Sequence, residues 1–490
     1  SVVMAESHLL EKIKLKYHDI PVQAKLAMWI LICTVIQKGI SLITVPVFTR
    51  LMDTTEYGKV SIYFSWVNIA SIITSFKLNA GVYNKGLSKF KEDRDGYCLS
   101  MQYTTTFFTV ALLFVCLIFR DAVCSLTELS FGLILLMFVE LLFNTSMGFW
   151  TVKKQYEFKY KQIVAGTLVL TFLNPLLGVL FVVNAPYEQR GTARILSTVL
   201  AISLVGLFFY IINMKQGKYK YKFAYTKFAV LFNIPLIPHY FSEYILNQSD
   251  RIMIQKMCSL SDVAFYSVAY NAGMLLTIIT SSLNQALTPW LYQSLDDKNY
   301  CQISKTIMSL AALIMVPLII FICLAPEAIY ILAGDKYASA VYVIPPVAGS
   351  IVFLFLYTNF ANIEFYYDYN KFTMYISMIG AILNIALNYV FINLFGFVAA
   401  GYTTFACFFV YCFGHYLFME FIMKKKNHVH LIDIKMLLGL VIVLLALMIT
   451  MSLTYSSILL RYSLICLLLV FVFVFRKRIC SILLMIKKVN

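Results

Sequence analysis

Residues 34–50 read TVIQKGISLITVPVFTR. Most of these side chains suit hydrocarbon, yet Lys38 stands in their middle. The stretch belongs to an apolar run over 24–48. At 1.5 Å per residue a helix of about 25 residues reaches roughly 37 Å, more than the ~30 Å apolar core of a bilayer. The run is therefore read as a membrane span and not as a cleaved leader.

Runs of this kind recur to the end of the chain. Spans are predicted at 24–48, 60–83, 99–119, 128–150, 163–183, 193–213, 225–247, 263–290, 302–323, 338–360, 372–392, 397–420, 433–453 and 457–475. Composition agrees. Of 490 residues, 61% are hydrophobic and only 13% charged, against roughly 25% charged in a soluble domain. A soluble fold has too little polar surface to cover so much apolar area. The expected fold is an all-α polytopic membrane protein of about fourteen transmembrane helices.

The net charge of +16 does not imply a nucleic-acid partner, because the cations fall in short clusters between apolar runs. Alternate connections differ in Lys and Arg, as the positive-inside bias requires. One set holds Lys12, Lys14, Lys16, then Lys85, Lys89, Lys91, Arg94, then Lys153, Lys154, Lys159, Lys161, then Lys215 to Lys227, and later Lys424 to Lys426. The other is thin, with Arg50, Lys59, Arg120, Arg190 and Arg194. The alternation survives only with an even number of spans, so both termini are expected in the cytoplasm. The 11 cysteines show no metal or redox spacing and read as small buried hydrophobes. A Cys124–Cys258 disulfide is disfavoured.

The chain reads as doubled. TTEYGKVSI at 54–62 lies over LSDVAFYSV at 260–268, pairing Glu56 with Asp262, Gly58 with Ala264 and Ser61 with Ser267. Six spans separate the copies, so both have one orientation. This implies two parallel six-helix bundles around a central cavity, with alternating access by rocking. The expected organisation is a cytoplasmic N-terminal segment 1–23, a bundle over 24–213, a linker 214–224, a second bundle over 225–420 and a linker 421–432. Two further helices follow within 433–475, then a cytoplasmic tail 476–490. Pro235 and Pro238 interrupt the seventh span, where a missing N–H bends the axis.

Polar groups at membrane depth mark the candidate site. Lys38 facing lipid would cost about 2.5–3.5 kcal/mol by insertion scales. Thr34 and Ser41 share its helix face, so Lys38 is expected to project into a polar interior. A structural ion pair is the competing reading. Lys77, on the second span, is a further cavity cation or a snorkelling lysine. On the seventh span His239, Glu243, Asn247 and Arg251 step by four along one face, with Asp250 adjacent. They read as ion-coupling groups or as a structural Glu–Arg pair. Glu140 is the other deep acid, a candidate partner for Lys38 or Lys77. Asn384 and Asn388 form a short polar face read as helix-to-helix glue. No Walker loop, dinucleotide loop or HExxH occurs. No cofactor or metal is expected beyond a coupling ion, H+ or Na+. With loops of at most roughly 15 residues, transport is favoured over catalysis. Deep cations favour an anionic cargo. Glu140 and Glu243 keep a multidrug exporter open, and a membrane-embedded glycan polymerase or ligase is the more distant alternative.

Three segments carry a family resemblance: IQKGISLITVPVFTRLMDTTEYGKVSIYFSW at 36–66, NAGVYNKGLSKFKEDRD at 79–95, and EYILNQSDRIMIQKMCSLSDVAFYSVAYNAGMLLTIITSSLNQALTPWLY at 243–292. They resemble bacterial polysaccharide repeat-unit flippases, of O-antigen and capsule synthesis, within the multidrug, oligosaccharidyl-lipid and polysaccharide exporter superfamily. The resemblance implies a bacterial inner-membrane protein. Its cargo would be an undecaprenyl-pyrophosphate-linked oligosaccharide moved from the inner to the outer leaflet. Lys38 and Lys77 would be the groups that meet pyrophosphate or acidic sugar. The expected partners are that lipid-linked oligosaccharide, membrane lipid, and a glycan polymerase or ligase acting on the product. The transport unit is expected to be a monomer.

Overall fold

The computed structural model describes residues 21–477. The expected cytoplasmic segment with Lys12, Lys14 and Lys16, and the tail from Arg478 to Lys488, lie outside the described residues. Among those described, the chain is helical throughout and has no strand.

Among the described residues, eleven stretches are long and apolar enough to cross a membrane. They include α1 (Val22–Leu51), α4 (Arg94–Ile118), α6 (Phe131–Tyr156), α7 (Tyr160–Asn184) and α8 (Arg190–Gln216). In the second half they include α13 (Tyr300–Cys323), α15 (Ile344–Tyr366), α16 (Asn370–Phe395), α17 (Val398–Asn427) and α18 (Ile434–Thr454). The eleventh joins α11 (Leu260–Met274) to α12 (Thr277–Asp296). Three of the fourteen expected spans fall short of that standard. Helix α2 (Thr54–Ser75) is less apolar, and α19 (Ile458–Val474) is short. The seventh breaks into α9 (Phe223–Asn233), a 3-10 turn over Ile234–Leu236, and α10 (Ile237–Met257). Pro235 and Pro238 withhold two N–H groups where the break lies. Short helices α3 (Gly81–Lys89), α5 (Arg120–Thr127) and α14 (Ala325–Ala333) are the other α-helices among the described residues.

The expected second span, 60–83, needs correction. Helix α2 stops at Ser75, and Phe76 and Lys77 take positive φ of 47° and 51°. Ser75 Oγ accepts the Lys77 N–H at 3.1 Å, and Asn233 donates its amide to the Phe76 carbonyl at 2.9 Å. Local side-chain bonds thus replace the helical ladder. Lys77 lies in a turn, not on a helix face.

The chain separates into two compact units. One comprises residues up to Leu51 with Ala70–Ile237, the other Met52–Ile69 with the chain from Pro238 onward. In the first, α1 packs on α7, α7 on α8, α8 on α6 and α6 on α4. The Asn213 amide donates to Gln102 Oε1 (2.8 Å) and the Ser146 carbonyl (3.1 Å), joining α8, α4 and α6. Such bonds hold helices together where apolar burial cannot. Tyr83 and Tyr97 donate to the carbonyls of Phe149 and Val82, fixing α3 against α4 and α6. In the second unit α15 is the buried axis, flanked by α11, α12, α13 and α17. Arg461 fastens α19 through Glu327 Oε2 (2.6 Å) and the Cys323 carbonyl (2.8 Å).

Helix ends recur at one interval. Leu51 and Met257 end α1 and α10, Thr54 and Leu260 begin α2 and α11, and Arg94 and Tyr300 begin α4 and α13. Each pair is 206 residues apart in the sequence. Ser259 opens α11 as its cap, its hydroxyl oxygen accepting the Asp262 N–H at 3.1 Å and donating to Asp262 Oδ2 at 2.7 Å.

Candidate functional site

Lys38 sits near the middle of the 30-residue α1, about 24 Å from its first residue and about 20 Å from its last. Its side chain is exposed, and among the described residues it makes no hydrogen bond or ion pair. Thr34 and Ser41 return their hydroxyls to the carbonyls of Ile30 and Gln37, at 2.9 Å each. Thr34 also lines an open pocket of about 380 Å³ between α1, α6, α7 and α8. Gln37, Asn144, Thr151, Gln155 and Thr167 supply most of its polar wall. Asn144, Gly148, Thr151 and Gln155 follow at helical spacing on one face of α6, beginning one turn beyond Glu140. Glu140 is buried on that helix.

The row on α10 forms as its spacing predicts. His239 Nε2 lies 3.7 Å from Glu243 Oε1, Asn247 donates to the Glu243 carbonyl at 2.7 Å, and Arg251 donates to the Asn247 carbonyl at 2.8 Å. Arg251 also reaches Ser267 Oγ at 3.1 Å and lies over the Tyr270 ring. No Glu243–Arg251 ion pair occurs among the described residues.

Asp250 is sealed from solvent. Its carboxylate accepts hydrogen bonds from the Tyr266 hydroxyl, Asn388 (2.6 Å), Thr404 (2.9 Å) and Asn384 (3.2 Å). Ser249 donates to Asn384 Oδ1 at 2.7 Å, and Thr403 donates to Asn388 Oδ1. A buried carboxylate met by four neutral donors is an uncommon solution, since a cation is the usual partner. Asp250 on α10 thus meets the amide nitrogens of Asn384 and Asn388 on α16 and the Thr404 hydroxyl on α17, while the two amide oxygens accept from Ser249 and Thr403.

Sequence reasoning missed one pair. His415 Nδ1 lies 2.9 Å from Glu364 Oε1, both residues fully buried in the second unit, with Tyr357 stacked on the imidazole. The 51 residues of sequence between them leave no periodic pattern that would join the two. The missed amides of the α6 pocket did leave a signal, a polar residue on nearly every turn of an otherwise apolar run. Every described cysteine is a free thiol, Cys124 and Cys258 included.

Comparison with known proteins agrees with this architecture. A family described as polysaccharide biosynthesis protein matches residues 24–295, and the MatE family matches residues 235–390. The Lsg locus putative protein 1 of Haemophilus influenzae is 23% identical over 354 residues, covering 71% of this chain and 86% of that protein. Among solved structures, the lipid II flippase MurJ in an inward closed conformation superposes with a TM-score of 0.62 at 13% identity, over 91% of this chain and 99% of MurJ. An inward-facing multidrug resistance MATE family transporter of the MOP superfamily gives 0.60 at 12%, over 83% and 99%. At such identities the structural likeness speaks for the fold. The family match extends over more than half of the chain, and on that ground the protein belongs to the polysaccharide biosynthesis protein family.

Proposed function

We propose that this protein is a flippase that carries an undecaprenyl-pyrophosphate-linked oligosaccharide across the bacterial inner membrane by alternating access. The observation that carries the reading is Lys38. An exposed ammonium midway along an apolar helix, without a protein partner among the described residues, is suited to meet a mobile anion. The lipid tail stays in hydrocarbon while the headgroup crosses. Bare pyrophosphate and sugars would lose their hydrogen bonds to water in oil, at many kcal/mol. A cation at mid-depth lowers that barrier without covalent chemistry.

In this reading each repeat forms a six-helix bundle, both termini lie in the cytoplasm, and α18 and α19 are accessory. Asp250 and its oxygen-bearing neighbours take the coupling ion, H+ or Na+. The row His239, Glu243, Asn247 and Arg251 lines the way to it. A glycan polymerase or ligase consumes the product.

Headgroup translocation by purified protein in proteoliposomes tests the reading, with the matching free oligosaccharide as control. Lys38→Ala is expected to insert and fold normally while losing most flipping. Normal flipping by Lys38→Ala removes the role of Lys38. Export of organic cations without lipid-linked sugar by the wild-type protein would replace the reading with that of a drug exporter.

A further inference from the structure

The α6 pocket has a chemistry that the pyrophosphate does not need. Its lining holds three carboxamides (Gln37, Asn144, Gln155) and the hydroxyls of Thr34, Thr151 and Thr167, and no charged residue. The three amides make no side-chain hydrogen bond within the protein among the described residues. Gln37 and Asn144 are exposed and Gln155 is half-buried, so all three amides are open to a polar ligand. The remaining wall is apolar, with Met147, Leu170 and Val205 offering flat hydrocarbon. Amides beside apolar patches suit a pyranose, which has hydroxyls on its rim and C–H groups on its faces. The volume of about 380 Å³ falls in the range of small-ligand sites. Gly148 opens the space. A Cβ built there meets nothing within 4 Å. Gln37 directly precedes Lys38, so on one helix an amide turns to the pocket and an ammonium follows at about 100° around the axis.

We propose that this pocket is a glycan subsite that holds the uncharged sugar residues next to the pyrophosphate. The proposal rests on the flippase reading and adds the substrate chemistry, a neutral or N-acetylated hexose, recognised by Gln37, Asn144 and Gln155. Lys38 would hold the anion while the amides hold the sugar.

Two measurements on the full-length protein test it. The first compares flipping of undecaprenyl pyrophosphate bearing an N-acetylglucosamine disaccharide with flipping of the sugar-free lipid. Gly148→Leu adds bulk to the pocket at a position whose Cβ meets nothing within 4 Å, and Gly132→Leu, on the same helix with an equally open Cβ, is the control. The expected result is a loss of about tenfold for the disaccharide lipid in Gly148→Leu and in Gln37→Leu, with the sugar-free lipid and the Gly132→Leu variant unaffected. Equal loss for both lipids, or none for either, overturns the proposal. The second measurement is independent of transport. Cys33 lines the pocket, and its alkylation by a small thiol reagent, read by peptide mass spectrometry, should slow in the presence of free disaccharide. Protection in a protein that flips neither lipid keeps the sugar site and removes the flippase reading. Absence of protection overturns the sugar site.

Discussion

Thr55 and Ser261 touch, their hydroxyl oxygens 3.2 Å apart across 206 residues of sequence. That interval equals the spacing at which helix ends recur, so each residue meets its own counterpart. Two equivalent positions can meet only where a local two-fold relation passes between them, here between the starts of α2 and α11. Thr54 joins the contact at 2.9 Å from Ser261. The expected outcome is that Thr55→Cys with Ser261→Cys, in a Cys258→Ser background, forms a disulfide under mild oxidation. Paired thiols need a Cβ separation of about 3.5–4.5 Å. Proteolysis between the two positions followed by non-reducing electrophoresis reads the bond. Failure to cross-link would show that the two helix starts do not meet in the membrane.

Close approach at this crossing depends on Gly58. A Cβ there would lie 1.8 Å from the Leu260 carbonyl oxygen, which is backbone and cannot step aside. Gly58→Ala should destabilise the protein by about 1–3 kcal/mol through overpacking, despite the better helix propensity of alanine. Gly439→Ala, on α18 with open space around it, is expected to be neutral or mildly stabilising. Thermal unfolding in detergent distinguishes them.

The turn between α6 and α7 carries a charge cluster with a defined pH signature. Glu157 lies 2.6 Å from Lys154 and 2.8 Å from Lys159. Partial burial works against its ionisation, but the hydrogen bonds from Lys154 and Lys159 outweigh it and hold the carboxyl below its usual value. A carboxylate whose native pKa is lowered stabilises the fold fully above the unfolded value, near 4.3 in a model peptide. It loses that contribution as pH falls through the native value. The wild-type unfolding temperature should therefore drop more steeply below about pH 5 than that of Glu157→Gln. Parallel curves for the two proteins would dismiss the cluster as a source of acid sensitivity.

The extent to which the sequence disclosed this arrangement follows from the range of each interaction. The span through Lys38 was legible because apolar length is a local property. The break near Pro235 was legible because proline acts on its own backbone. The interval of 206 was legible at 54–62 and 260–268, where polar turns and small residues repeat in order. Lys77 was misplaced because Asn233, 157 residues away, helps to hold the turn at Phe76. Lys153 read as a loop cation, yet its ammonium is sealed between Asp95 (2.7 Å) and Gln216 (2.7 Å). Asp250 was legible as a polar residue on α10, and Asn384 and Asn388 as a polar face on α16. Their convergence was not, because separations of 134 and 138 residues leave no periodic trace.

Asp250 yields the last prediction. Four neutral donors meet its carboxyl group with no cation bound to it among the described residues, and the oxygens of Asn384, Asn388 and Thr404 lie within the same cluster. Rotation of an amide would exchange a donor for an acceptor and convert the anion's cage into a cation's. If the coupling ion binds there, saturating cation should stabilise the wild-type protein by about 2.7 kcal/mol at a hundred times its dissociation constant. Asp250→Asn removes the charge while nearly keeping the shape. It should cost about 1–3 kcal/mol in stability, because donors that faced a carboxylate now face an amide. It should also abolish both the cation-dependent thermal shift and the dependence of flipping on the ion gradient. Varying Na+ at fixed pH and pH at fixed Na+ identifies the ion. A variant that keeps the wild-type gradient dependence would exclude Asp250 as the coupling group and leave its cluster a structural one, holding α10 to α16 and α17.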